Sequence, residues 1–154
     1  MKNKKSPEPT VSTIDTQAYL TVLRELVEDG NSVSLNVSGM SMFPFLEHER
    51  DTVYFEAPKR NLRKGDIVFY QRRNGQYVLH RIYNVKGDEY FIVGDAQHVV
   101  EGPVLRDQIF AIVTQVKRNG RMLTPSNLTW KFYERVWINL LPYRVVRKVR
   151  KVVG

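Results

Sequence analysis

The sequence predicts a mainly β protein: a compact antiparallel β core preceded by one helix and followed by a helical segment. Three observations carry this. Between residues 32 and 125 apolar residues recur with a period of two in short runs, as in strands with one buried face. Turn signals separate the runs, among them Asn74-Gly75 and Asn119-Gly120, and Asn-Gly is the strongest short-range mark of a hairpin. Helical spacing of apolar residues is confined to the two ends of the chain.

Residues 1–12 are polar, carry two prolines and have no periodicity, which predicts a flexible tail. A helix is expected over 15–29. Asp15 is placed to cap it, Tyr19, Leu20, Val22, Leu23, Leu26 and Val27 give it an apolar stripe, and Gly30 ends it. The β core follows over 32–125. Its first strand is Ser32 to Val37, its second Thr52 to Phe55, closed by Ala57-Pro58. Asp66 to Tyr70 and Tyr77 to Tyr83 form a hairpin around Arg72-Arg73-Asn74-Gly75. Lys86-Gly87-Asp88 turns the chain into Tyr90 to Val93, and Ile109 to Val116 pairs with Met122-Leu123. Six or seven short strands at this spacing make one antiparallel fold. From Asn127 the pattern is helical again, with Trp130, Phe132, Tyr133, Trp137, Leu140 and Leu141 expected to pack on the core and Pro142 interrupting. The whole stretch 126–154 forms a C-terminal amphipathic basic segment.

With 154 residues, 42% hydrophobic and 26% charged, the chain is one globular domain with short extensions. It has no cysteine, which excludes disulfides, thiol catalysis and cysteine-ligated zinc. No run approaches the roughly 18 apolar residues of a spanning helix, and the charged N-terminus is no secretory signal. The expected location is therefore the cytoplasm. Lysine and arginine exceed aspartate and glutamate by 24 to 16, which favours an anionic partner. Five of those cations lie between Arg144 and Lys151, where on a helix Val145, Val149, Val152 and Val153 would share one stripe. That pattern suits the surface of an anionic bilayer, placing the protein peripherally on the inner face of the membrane.

The chemistry-bearing segment is Ser38-Gly39-Met40-Ser41-Met42-Phe43-Pro44. A strand ends at Gly39, and a tight turn there would lift the Ser41 hydroxyl beside exposed backbone N–H groups able to hold an oxyanion. A serine hydroxyl is a poor nucleophile at neutral pH and needs a base within reach. His80 is the candidate. Strand alternation puts it with Val78 and Ile82, away from Tyr77 and Leu79, so it is expected to be partly buried. An acid at a strand end, Asp95 after Gly94, is of the kind that orients an imidazole.

Together these segments resemble the family of type I signal peptidases and LexA-type proteases, whose pattern is Gly-x-Ser-Met-x-Pro, then Gly-Asp-Ile-Val, then a base followed by Arg, then Gly-Asp. Here the matching stretches are Gly39 to Pro44, Gly65-Asp66-Ile67-Val68, His80-Arg81-Ile82 and Gly94-Asp95, in order over residues 33–116. The resemblance implies a β core of the signal-peptidase/LexA catalytic-domain type over 13–125. It also implies a serine endopeptidase that cuts a precursor or leader peptide without a cofactor. Most family members pair serine with lysine; His80 standing before Arg81 resembles the archaeal and endoplasmic-reticulum type that uses Ser, His and Asp. It implies Ser41 as nucleophile, His80 as general base, Asp95 as orienting acid, and oxyanion support from Ser41 N–H with Ser38 and Gly39. Glu101 is a second acid in the same loop. Ala96 departs from the Asn usual after Gly-Asp. The amphipathic stretch Asp15–Val27 stands where signal peptidases carry an anchor and LexA-type proteins a DNA-binding domain. Two other readings stay open. One is a family member that binds peptide without cutting it. The other is a small basic nucleic-acid-binding module using Tyr70, Arg72, Arg73, Tyr77 and Tyr83, which leaves Ser41 and His80 unexplained. A metal site from His48, His80 and His98 lacks suitable spacing.

Overall fold

The computed structural model describes residues 13–141. The predicted tail over 1–12 and the valine-rich basic stretch of 142–154 lie outside them. Helix α1 (Thr13–Glu28) leads into strands β1 (Val33–Asn36), β2 (Asp51–Glu56), β3 (Ile67–Gln71), β4 (Tyr77–Lys86), β5 (Glu89–Val93) and β6 (Glu101–Leu105). A 3₁₀ turn at Arg106–Gln108 precedes β7 (Ile109–Arg118) and β8 (Arg121–Leu123), and α2 (Leu128–Arg135) runs into a second 3₁₀ turn at Trp137–Leu140. The fold is mainly β, an eight-stranded antiparallel sheet with a helix at each end, as the alternation predicted. Its order is β1-β2-β7-β3-β4-β5-β6, with β8 paired to β7.

Strand β3 explains the two-sided core. All of Ile67, Val68, Phe69 and Tyr70 are buried. Ile67 and Phe69 point into one apolar cluster and Val68 and Tyr70 into another, as the pleat requires of a strand covered on both faces. The first cluster is roofed by α1, through Leu23 and Val27, and by α2, through Trp130. The second is enclosed by the sheet itself, with Val78, Ile82, Ile92 and Val104. Of the stripe predicted on α1, only Leu20, Leu23 and Val27 pack inward, while Tyr19, Val22 and Leu26 are exposed. Gly30, at φ 95°, ends the helix as expected, its N–H bonded to Val27 O. Asp15 lies inside the first turn rather than before it.

Both Asn-Gly hairpins form, in different ways. Asn119 and Gly120 both have positive φ and close β7 onto β8 as a two-residue turn. The β3–β4 loop is longer, spanning residues 72–76, and is tied by Arg72 N–H to Gln76 O and Gly75 N–H to Arg72 O. One strand, β6, was not foreseen, because Gly102-Pro103 reads as a breaker. It lies at the sheet edge, pairing only with β5, the position in a sheet that tolerates proline.

Candidate active site

The loop after β1 is pinned at both ends. Val37 N–H bonds Asp51 O, and Gly39, at φ 82°, directs its N–H to His48 Nδ1 at 3.1 Å. Beyond Ser41, the buried Met42, Phe45 and Leu46 drop into the first cluster. The Phe45 ring lies 5.4 Å from that of Trp130 and 5.1 Å from that of Tyr133. The buried Asp51 carboxylate closes the far end, accepting from Glu47 N–H, Arg50 and Arg118. Those attachments, which hold its charged form, keep its carboxyl below the usual range although burial alone would raise it. Ser41 is therefore carried on a fixed turn, half-buried. Among the described residues no backbone hydrogen bond takes up its N–H.

His80 sits on β4 opposite Val68 of β3 and is 4% exposed. Burial pushes its imidazole down to about 4, Arg72 adds to that, and Glu101 opposes it. Beside it, Glu101 accepts from Tyr70 Oη at 2.6 Å and from Arg72 Nε and Nη2 at 2.8 and 2.9 Å. The Arg72 guanidinium holds the Glu101 carboxyl below the ordinary range. The Tyr70 phenol is raised well above its usual value, first by burial and then by Glu101. His80 thus lies neutral at physiological pH, next to a carboxylate whose charge is partly cancelled by an arginine.

Arg81, the residue after His80, links β4 to the Ser41 turn. Arg81 and Asp95 have fully buried side chains and form a two-pronged pair, Nε to Oδ1 and Nη2 to Oδ2, both at 2.8 Å. Arg81 Nη1 also donates to Gly65 O, and its guanidinium lies 5.2 Å from the centre of the Phe45 ring. Asp95 O accepts from Trp137 Nε1 at 3.0 Å. One residue on, Ala96 N–H bonds Ser41 O at 3.0 Å. Gly94 lies so close that a Cβ on it would stand 2.5 Å from the same carbonyl oxygen, so no larger residue fits there without moving the Ser41 turn. The loop 94–97 is the structural back of the Ser41 turn.

Ser38, Gly39, Ser41 and His80 all line one cleft of about 400 Å³. No hydrogen bond joins Ser41 to His80 among the described residues. The cleft runs between two strand edges. Among the described residues strand β1 pairs only with β2. On β4, residues 77–80 pair with β3 on one side, while β5 joins the other side only from Arg81 onward. Thr16, Tyr19 and Leu20 of α1 form part of the wall, held by Thr21 Oγ1 to Tyr77 Oη at 3.1 Å and by Arg24 to Gln71 at 2.6 Å.

A family model described as Peptidase S24-like matches residues 4–117. The chain belongs to this family. No curated protein matches it. In this S24-like family member the four matched motifs converge on one place: Gly39 to Pro44 carries Ser41, His80 faces the same cleft, and Gly65, Arg81 and Gly94-Asp95 interlock behind them. Of the residues singled out in the sequence, Ser38, Gly39, Ser41 and His80 come together, Asp95 stands behind with Arg81 on both its oxygens, and Glu101 stands beside His80. Tyr70 and Arg72 were singled out only for the nucleic-acid reading; their link to Glu101 beside His80 was missed, since Arg72 and Glu101 are 29 positions apart and no short-range pattern joins them. His48 and His98 do not join His80. Among the described residues no group of three or more His, Asp or Glu side chains is placed to hold a metal. No described helix is long and apolar enough to cross a membrane.

Proposed function

We propose that this chain is a serine endopeptidase that cleaves an extended stretch of a precursor or leader peptide. The observation that carries it is the cleft itself: Ser41 and His80, from distant segments, face one apolar slot bordered by the unpaired edges of β1 and β4. A peptide lying there as a strand takes up those backbone groups and sets its scissile carbonyl beside Ser41. Ser41 Oγ attacks the carbonyl carbon while His80 takes its proton. The Ser41 N–H, with the Ser38 hydroxyl, holds the oxyanion. Collapse of the tetrahedral intermediate breaks the C–N bond, and the proton passes from His80 to the leaving amine. Water then opens the acyl-enzyme with His80 as base again.

In this reading Glu101 stabilises the imidazolium that forms at His80, with Arg72 moderating it. Asp95 acts as a positioning residue, through Arg81 on the base side and Ala96 on the nucleophile side. A serine-reactive phosphonate should label Ser41 in wild type, and neither Ser41→Ala nor His80→Ala should cut a peptide that wild type cuts. Because the groups act as a unit, the double variant should be scarcely worse than either single one. A folded wild type that binds peptide without labelling or cutting would sink the proposal in favour of a non-catalytic binder.

A further inference from the structure

The outer face of the C-terminal helix has no role in the cleft. Leu128, Phe132, Val136 and Leu140 are 85, 42, 47 and 39% exposed. A spacing of four drifts by about 40° per step on an α-helix, so Leu128, Phe132 and Val136 lie within an arc of about 80°, and Leu140 is exposed on the 3₁₀ turn that follows. Along α2 and the 3₁₀ turn they extend over about 20 Å. Lys131 and Arg135 are exposed among them. The one acid of the segment, Glu134, is turned inward: its Cγ and carbonyl oxygen lie 2.7 Å from where a Gly65 Cβ would be, and its charge acts on Arg60. The element is anchored to the core by Trp130, Ile138 and Leu141. It is also fastened to the loop behind Ser41 by the Trp137 to Asp95 hydrogen bond.

We infer that this face is a docking surface for an anionic lipid bilayer, with Leu128, Phe132, Val136 and Leu140 entering the headgroup boundary and Lys131 and Arg135 meeting lipid phosphates. Charge decides between occupants. From Asn127 to the end the chain holds seven lysines and arginines and one acid. A second copy, or the chain's own residues 142–154 folded back, would bring like charges onto Lys131 and Arg135. An anionic bilayer offers the opposite charge and an apolar layer together, which nucleic acid does not. The surface is independent of the proteolytic reading. If both hold, the hydrogen bond to Asp95 O would set the cleft at a fixed height above the lipid.

The test is sedimentation of the full chain with phosphatidylglycerol/phosphatidylcholine vesicles at low salt. Wild type and Ser41→Ala should both sediment, and neither should with phosphatidylcholine alone. The variant carrying Leu128→Ser, Phe132→Ser, Val136→Ser and Leu140→Ser should partition at least tenfold less. Since the chain has no cysteine, Leu128→Cys also gives a single site for an environment-sensitive dye, useful if the fourfold variant folds poorly. Its emission should shift to the blue on anionic vesicles, while a dye on Asn74→Cys should not. Wild type staying in the supernatant overturns the inference. So does a well-folded serine variant that sediments like wild type, or a wild-type dimer that the serine variant breaks while neither binds vesicles.

Discussion

Replacing Asp95 distinguishes a positioning role from a catalytic one. In Asp95→Ala the Arg81 guanidinium keeps its bond to Gly65 O but loses both bonds to carboxylate oxygen in a place without solvent. An uncompensated buried charge costs about 3–5 kcal/mol. At about 2–4 °C per kcal/mol for a domain of this size, the melting temperature should fall by roughly 6–20 °C, a large part of an ordinary stability of about 5–15 kcal/mol. Removing both charges avoids that penalty, so Arg81→Met with Asp95→Leu should recover most of the loss. The assay is thermal and urea unfolding by circular dichroism, run beside peptide cleavage on the same preparations. If Asp95 serves by holding the 94–97 loop behind Ser41, cleavage should fall with stability in the single variant and return in part in the double one. An Asp95→Ala protein that melts within 2 °C of wild type yet loses about 10⁴ in rate, as for a triad acid, would refute the positioning role.

The pH profile carries further tests. Because burial lowers the folded imidazole to about 4, the acid limb of kcat/KM should have its midpoint near pH 4, with a plateau through neutrality. A rise only above about pH 8.5 would point instead to a lysine base such as Lys86. The same shift makes stability pH-dependent: the unfolded chain binds this proton near pH 6.5 and the folded one only near 4, so stability present above 6.5 is lost as pH falls through that window. His80→Gln should flatten this part of an acid denaturation curve; an unchanged curve would count against the buried neutral histidine. Arg72→Gln removes a repelling cation and should move the acid limb upward, whereas Glu101→Gln should move it downward and slow cleavage by about tenfold, near 1.4 kcal/mol of barrier. Limbs that stay fixed in both would separate this pair from the base. Gly94→Ala must push its Cβ away from Ser41 O, costing about 1–3 kcal/mol and reducing kcat more than its stability loss explains; wild-type kinetics would show that the contact yields freely.

What the sequence made legible was what short-range pattern encodes. Alternation located seven of the eight strands, and β6 escaped because its Gly102-Pro103 is acceptable only at a sheet edge, which no local pattern reveals. Ser41 and His80 were visible because each sits in its own motif, while their meeting in one cleft depends on a sheet order that places β2, β7 and β3 between β1 and β4. The acid was harder. Asp95 carries the recognisable motif, yet its oxygens go to Arg81, and a pair formed across 14 positions leaves no trace in either segment alone. Arg72 reads as part of a hairpin turn and of a nucleic-acid surface until β6 brings Glu101 alongside. On α1 the periodicity correctly gave a helix, but only Leu20, Leu23 and Val27 meet the first cluster, so half of its stripe faces outward.

The knot formed by Arg81, Asp95, Ala96 and Ser41 also bears on how such a molecule fails. Breathing motions in many enzymes begin in the loops around the active centre, which open at little cost while the scaffold stays intact. Here the segment behind Ser41 is stitched to the middle of the sheet through a dry ion pair and to the C-terminal element through an indole. It cannot open alone. The amide proton of Ala96 should therefore exchange with solvent only when the whole domain unfolds, and heat should remove activity and structure at the same temperature.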